Sequence, residues 1–211
     1  MLPDKISRAA EPAFAHAPWL SVYLDDVEFA GDTFKYLRLV ESNGAPGTVV
    51  LPLWGESVGM VRQYRIAPAA DLWELPRGFG ESPEEPVKDA ARELREETGL
   101  TADTWTDLGS VMPNSGLTAG SVRLWLATVG GRRDLSALDH EIDRFAWWPI
   151  SRLRAAITAD EIQDGFTMAA FLRAELLGLL TGDTSGRTTS GKSNIRHDLG
   201  AAPGRTGADQ S

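Results

Sequence analysis

Three glutamates near the end of the segment GFGESPEEPVKDAARELREETGL, residues 78–100, have the types and spacing that could do chemistry. At about 100° per residue, Glu93, Glu96 and Glu97 share one arc of a helix, while Val87, Ala90, Ala91 and Leu94 fall on the neighbouring arc. Glu93 and Glu97 form an i,i+4 like-charge pair, which costs helix stability unless a cation compensates it. Arg92 stands four residues before Glu96 and can pair with it, but one guanidinium cannot serve all three carboxylates. Several carboxylates on a rigid element supply the hard oxygen ligands that Mg²⁺ prefers, with waters and substrate phosphates completing its shell. An acidic solvated helix face would show the same three glutamates, and spacing alone leaves both readings open.

The elements that must position these residues can be read on either side. Ser82 as N-cap, Pro83 at the first helical position, a Ser-x-x-Glu capping box closed by Glu85 and a stop at Gly99 predict a helix over residues 83–98. Upstream, residues 1–18 read as irregular. A β-rich stretch then starts at Trp19 with WLSVYLDDVEF, TFKYLRLVES, GTVVLPLW and VGMVRQYR, separated by turn chemistries at Gly31-Asp32, residues 43–47 and residues 55–57. Three or four strands should therefore precede the helix. Downstream, strands are expected over residues 104–112, 122–129 and 144–150, followed by helices over 151–157 and 165–180.

The segment resembles the Nudix box, G-x5-E-x7-R-E-U-x-E-E-x-G-U with U a bulky aliphatic, at Gly78, Glu84, Arg92, Glu93, Leu94, Glu96, Glu97, Gly99 and Leu100. The resemblance implies an α/β fold, the Nudix α/β/α sandwich with a mixed β-sheet between helices. It also implies hydrolysis of a nucleoside diphosphate linked to another group, using Mg²⁺ or Mn²⁺. On that resemblance, Glu93, Glu96, Glu97 and the backbone carbonyl of Arg77 are metal ligands, and Glu96 and Glu97 belong to the catalytic group. Gly78, Glu84 and Arg92 support them. The metals would neutralise charge on the diphosphate and polarise the attacking water. A general base on a late loop is expected as well, with Glu141 the first candidate and Asp139 the second; both could equally be ordinary loop acids.

The wider chain, residues 34–180, resembles the ADP-ribose pyrophosphatase branch through VRQYR, through Trp73-Glu74-Leu75-Pro76, and through Glu161-Ile-Gln-Asp-Gly followed by Thr167. That branch implies ADP-ribose cleaved to AMP and ribose 5-phosphate, Arg65 on the substrate phosphates and Glu74 beside the metal cluster. It also implies a homodimer built through the N-terminal strands. Arg62 and Arg65 could instead be strand-edge surface charges, and Glu74 a partner to a nearby arginine. One departure stands out: Met112-Pro113-Asn114-Ser115-Gly116 occupies the place where the branch commonly shows a Ser-Pro-Gly type turn. Other nucleotide sugars, dinucleoside polyphosphates and nucleoside triphosphates remain alternative substrates, and a metabolite sensor without turnover is the alternative of another class. For a base platform, Trp19, Trp54, Trp105 and the Trp147-Trp148 pair are candidates, and none is singled out.

Composition narrows the field. The 211 residues are 42% hydrophobic, enough for one good-sized core. A formal charge of −9 opposes attraction to nucleic acid or an anionic membrane. The absence of cysteine rules out disulfides and thiolate chemistry. His16, His140 and His197 lack paired spacing, which argues against zinc. With no secretory h-region and no apolar run of about 20 residues, a cytoplasmic protein is expected. Residues 186–193, GRTTSGKS, match a phosphate-loop pattern, but they sit in a Gly/Ser/Thr-rich stretch with no strand before and no helix after. The expected organisation is an N-terminal arm and strands over residues 1–45, a hydrolase domain over 46–181 and a disordered tail over 182–211.

Overall fold

The computed structural model describes residues 2–81, 85–131, 133–134 and 144–180. Ser82, Pro83, Glu84, Asp139, Glu141 and the 182–211 tail with its phosphate-loop pattern lie outside the described residues.

Two sheets are present. The first is built by β1 (Lys5–Ser7), β2 (Phe14–His16), β3 (Leu20–Phe29) and β4 (Asp32–Glu41), all antiparallel, with β3 at the centre. Residues 1–18, read from sequence as irregular, thus contribute two strands. Each is only three residues long, too short to carry an alternating pattern. The β3–β4 hairpin turns through Ala30 and Gly31, both at positive φ. This is the primed-turn geometry that matches strand twist, and it places a non-glycine residue in the left-handed region. Asp25 is buried in this sheet and accepts hydrogen bonds from Arg38 Nε (2.6 Å), Arg38 Nη2 (3.0 Å), Arg8 Nη1 (2.8 Å) and the Ala9 backbone N–H (2.9 Å). The N-terminal arm is thereby clasped to β3 and β4.

The second sheet holds β5 (Gly47–Trp54), β6 (Ser57–Arg65), β7 (Ala70–Glu74), β8 (Arg77–Gly78), β9 (Ala102–Val111), β10 (Val122–Val129) and β11 (Arg144–Pro149). Its order is β11-β6-β5-β10-β9, with β7 on β6 and β8 on β5. The β5–β10 pair is parallel and the others antiparallel, so the sheet is mixed. Eight strands precede the first α-helix rather than three or four: β1 and β2 are the short strands of the arm, and β7 and β8 occupy a stretch whose prolines and charges hide a strand pattern.

Helix α1 (Pro86–Thr98) covers one face, and α2 (Ile150–Thr158) and α3 (Gly165–Leu176) the other. Period-2 alternation along β5 serves both layers: Val49 and Leu51 pack with Leu153 and Phe171 on the α2/α3 side, whereas Val50 packs with Ala90 and Leu94 of α1. Because both faces are covered, β5 reads as a continuous apolar run. Ala91, placed by periodicity on the apolar arc, is exposed. The α1 start also differs from expectation: Glu85 is the N-cap, without a side-chain capping bond, and Pro86 is the first helical residue. Proline disfavours helical backbone in the residue before it, which excludes Glu85 from the helix and moves the start past Pro83. Gly99 ends α1 at φ 70°, as its position suggested.

Candidate active site

The site is created where β5 and β6 part. They pair at Leu53 with Val58 and Trp54 with Ser57, and the freed edge of β5 is taken by residues 76–78: Val50 N–H donates to Pro76 O, Val49 pairs with Arg77, and Thr48 pairs with Gly78. Glu74, at the end of β7 and still paired with β6, and Arg77 and Gly78, in β8 and already paired with β5, therefore lie on one crossing segment, and α1 passes over it with its acidic arc facing down.

The approach is closest at Gly78, where an added Cβ would fall 2.0 Å from Glu93 Oε1. Only glycine leaves room for this carboxylate. Glu93 is 9% exposed and is met by Arg92 Nη2 at 2.8 Å; burial pushes its carboxyl above the ordinary carboxylate range although Arg92 opposes the shift. Glu97 accepts the Arg77 backbone N–H at 3.0 Å, and burial, reinforced by the charges of Glu93 and Glu74, pushes its carboxyl up to about 8. Glu96 takes Arg92 Nη1 at 2.9 Å. Arg92 thus serves two of the three glutamates and also donates to Phe79 O at 3.1 Å. With Arg92 between Glu93 and Glu96, no three acidic or histidine side chains among the described residues converge into a ready-made metal cage.

Behind the glutamates lies a second charged layer. Glu74 is fully buried, with Arg65 Nη2 2.5 Å from one carboxylate oxygen and Arg77 Nη2 3.0 Å from the other. Arg77 reaches on to Asp164 at 3.3 Å and stacks over the Phe166 ring at 4.9 Å. Asp164 caps α3 by accepting the Thr167 backbone N–H and hydroxyl, and that hydroxyl in turn accepts the Leu75 N–H at 2.9 Å. Sequence reading attached no role to Asp164 or Phe166, and only the Asp-Gly-x-Thr spacing at the start of a helix signals such a cap. Asp89 was also missed: it is buried four residues before Glu93 and accepts the Glu81 N–H at 3.1 Å, fixing the turn after Phe79.

Above the glutamates is an open cleft of about 780 Å³, lined by Trp19, Arg65, Phe79, Glu93, Glu96 and Glu97 among others. A side pocket of about 280 Å³ shares Arg65, Arg77, Gly78 and Phe79 with it. Of the tryptophans considered, Trp19 lines the cleft and meets Phe79 at 5.7 Å between ring centroids. Trp105 packs edge-on against Trp125, while Trp54, Trp147 and Trp148 pack with other aromatics away from the glutamates. Arg62 pairs with Asp71 on the β6–β7 surface. His16 is exposed on β2.

Comparison with known proteins agrees with this architecture. Residues 45–169 match the NUDIX domain, and the chain belongs to the Nudix family. It is 36% identical over 153 residues to an ADP-ribose pyrophosphatase of Mycobacterium tuberculosis, covering 70% of this chain and 72% of that protein. It is 30% identical over 122 residues to an ADP-ribose pyrophosphatase of Bacillus subtilis, covering 58% and 63%. Among solved structures, an ADP compounds hydrolase superposes with a TM-score of 0.68 at 16% identity, covering 84% of this chain and 96% of that one. The fold is the Nudix α/β/α sandwich, and the protein is a pyrophosphohydrolase. No helix among the described residues is long and apolar enough to cross a membrane.

Proposed function

We propose that this hydrolase cleaves ADP-ribose to AMP and ribose 5-phosphate with Mg²⁺ or Mn²⁺, in the cytoplasm. The observation that carries the reading is the pair Glu93 and Glu97, two partly desolvated carboxylates on α1, the first held against Gly78 and the second on the Arg77 backbone N–H. Buried acids whose pKa values are raised are costly to ionise, and a divalent cation is the partner that reverses this cost. The donor set fits a hard cation: Glu93, Glu96 and Glu97 with the Arg77 carbonyl would hold it. When bound, the metal neutralises diphosphate charge and polarises the attacking water.

The other groups act on the substrate or on one another. Arg65, on the cleft wall, meets the phosphates with an N–H fork suited to paired oxygens. Glu74, buried between Arg65 and Arg77, works through them by fixing both guanidinium groups. Glu84 is proposed as a supporting residue of the box, and Glu141, with Asp139 as the second candidate, as general base. The nucleoside side of the substrate takes the wider cleft near Trp19 and Phe79.

A homodimer is part of the proposal. Register places Phe14, Val22, Leu24, Leu37 and Leu39 on one face of the N-terminal sheet, and Phe14, Leu24 and Leu37 are 59%, 41% and 43% exposed. Such an apolar strip is what a second copy would bury. The two relatives named as ADP-ribose pyrophosphatases support the substrate. The test is a comparison of kcat/KM for ADP-ribose, ADP-glucose, diadenosine tetraphosphate and a set of deoxynucleoside triphosphates. ADP-ribose is expected to lead by at least tenfold. Preference for another compound would overturn the substrate, and tight binding without turnover of any would favour a metabolite sensor.

A further inference from the structure

The last turn of α1 is held from outside the cleft. Carbonyls at the end of a helix lack partners within it and need them from elsewhere. Thr98 O accepts Arg133 Nε at 2.6 Å, and Gly99 O accepts the Asp134 N–H at 2.6 Å. A Cβ on Gly99 would fall 2.4 Å from Asp134 O, so residues 133 and 134 pack on the helix end as closely as a glycine allows. The Arg133 guanidinium then stacks over the Phe145 ring at 4.1 Å. Phe145, on β11, meets Trp147 edge-on at 5.1 Å, and both rings cover Gly59 of β6, where an added Cβ would be 3.1 Å from the first and 3.2 Å from the second. One side chain thus joins the end of α1 to the β6–β11 pair. Among the described residues no carboxylate pairs with Arg133, and burial lowers its pKa from the ordinary guanidinium value. What favours a cation there is the negative end of the helix and the face of the ring.

We propose that Arg133 is a positioning residue for the metal site: by tying the Thr98 carbonyl to the Phe145 ring, it fixes the helical turn that carries Glu96 and Glu97. This rests on the reading of those glutamates as metal ligands. Glu97 stands one residue before the tethered carbonyl, and its carboxylate is anchored on the strand side by the Arg77 N–H at 3.0 Å. Held at both ends, the carboxylate keeps one placement relative to β8 and to Glu93. With Arg133 cut back, the turn retains only the backbone contact from Asp134 and can shift along the sheet, carrying its ligands out of register with the Arg77 carbonyl. Arg133 does not line the cleft, so it acts on the site only through α1. Its loss should therefore weaken metal binding and leave the substrate contacts in place.

The test is titration of the full-length protein with Mn²⁺ alone, followed by loss of the free-ion EPR signal, in the wild type, Arg133→Met, Arg133→Lys and Arg152→Met, with thermal unfolding beside it. Arg152 stacks over Trp148 at 4.1 Å on α2, across the sheet from α1, and controls for the loss of a stacked arginine. Arg133→Met is expected to weaken Mn²⁺ binding about three- to tenfold, the range that follows from losing one hydrogen bond. Arg133→Lys, which keeps a donor for Thr98 but loses the planar stack, should weaken it about two- to threefold, and Arg152→Met should stay within about 1.5-fold. At saturating metal, KM for ADP-ribose should stay within about twofold in every variant, a split that general structural damage would not produce. Wild-type Mn²⁺ affinity in folded Arg133→Met, or equal weakening by Arg152→Met, would overturn the proposal and leave the hydrolase reading standing. If Arg133→Met does not fold, wild-type affinity in Arg133→Lys would overturn it in the same way. A wild type that takes up no Mn²⁺ would overturn the metal-site reading as well.

Discussion

Replacing Gly78 with alanine should separate the site from the fold. The added Cβ would lie 2.0 Å from Glu93 Oε1, 2.1 Å from Cδ and 2.4 Å from Oε2, where real contacts stop at 3.0 Å. The carboxylate must therefore retreat by about 1 Å, and a displacement of that size in a reacting constellation costs about 10²-fold in rate. Folding should suffer little. Glu93 yields at the end of a flexible side chain, at a rotamer cost of roughly 0.5–1.5 kcal/mol. Gly78 has no positive φ, so alanine recovers about 0.4–1 kcal/mol by restricting the unfolded chain. The two terms nearly cancel, and Tm should move by no more than about 4 °C. The assay is kcat/KM for ADP-ribose beside thermal unfolding, with Gly165→Ala as control, since no atom lies within 4 Å of a Cβ there. Retention of more than about a third of wild-type kcat/KM by Gly78→Ala would refute the reasoning. A loss of Tm above about 10 °C would show the glycine to be structural.

Glu97→Gln should abolish turnover by about 10²-fold or more, as removal of a preorganised electrostatic group does, yet stabilise the metal-free protein at alkaline pH. Its folded-state carboxyl sits at about 8 against 4.5 unfolded, so its stabilisation is full below 4.5 and is lost as pH rises through about 8. Unfolding followed with chelator present should show wild type weakening between about pH 4.5 and 8 more than the variant does, and parallel curves would count against the assignment. Asp25 has the opposite sign: hydrogen bonds from Arg38, with Ala9 and Arg8, outweigh burial and hold its carboxyl far below 3.8, so its contribution is present above that value and is lost on acidification. Asp25→Ala should cost about 3–5 kcal/mol in denaturant unfolding by leaving Arg38 without its buried partner, and a loss under about 1 kcal/mol would refute this. Ala30→Gly relieves a left-handed residue at φ 52° and should raise stability by up to about 1 kcal/mol, measured the same way; no gain would mean that the turn carries no strain.

Much of this arrangement was legible because it is local. The acidic arc on α1, the pairing of Arg92 with Glu96, the stop at Gly99 and the buried run of β5 follow from periodicity over a few residues. The β7–β8 crossing was not legible, since its strand character comes from β5 and β6 parting, a tertiary event that leaves no period in Trp73-Glu74-Leu75-Pro76-Arg77-Gly78. The same gap hid Asp164, whose link to Arg77 spans most of the hydrolase domain. Two prolines three residues apart made the α1 start ambiguous, and only the conformation of Glu85 decides between them. The N-terminal strands β1 and β2 are defined by pairing with β3 rather than by their own three residues.

The most direct measurement of the central claim is ³¹P NMR of ADP-ribose incubated with the protein and Mg²⁺, with and without EDTA. The diphosphate resonances should disappear and those of AMP and ribose 5-phosphate should grow in equal amounts, with EDTA halting both and Glu97→Gln showing neither. An intact diphosphate signal at saturating metal, or hydrolysis that EDTA and Glu97→Gln leave unchanged, would contradict the account.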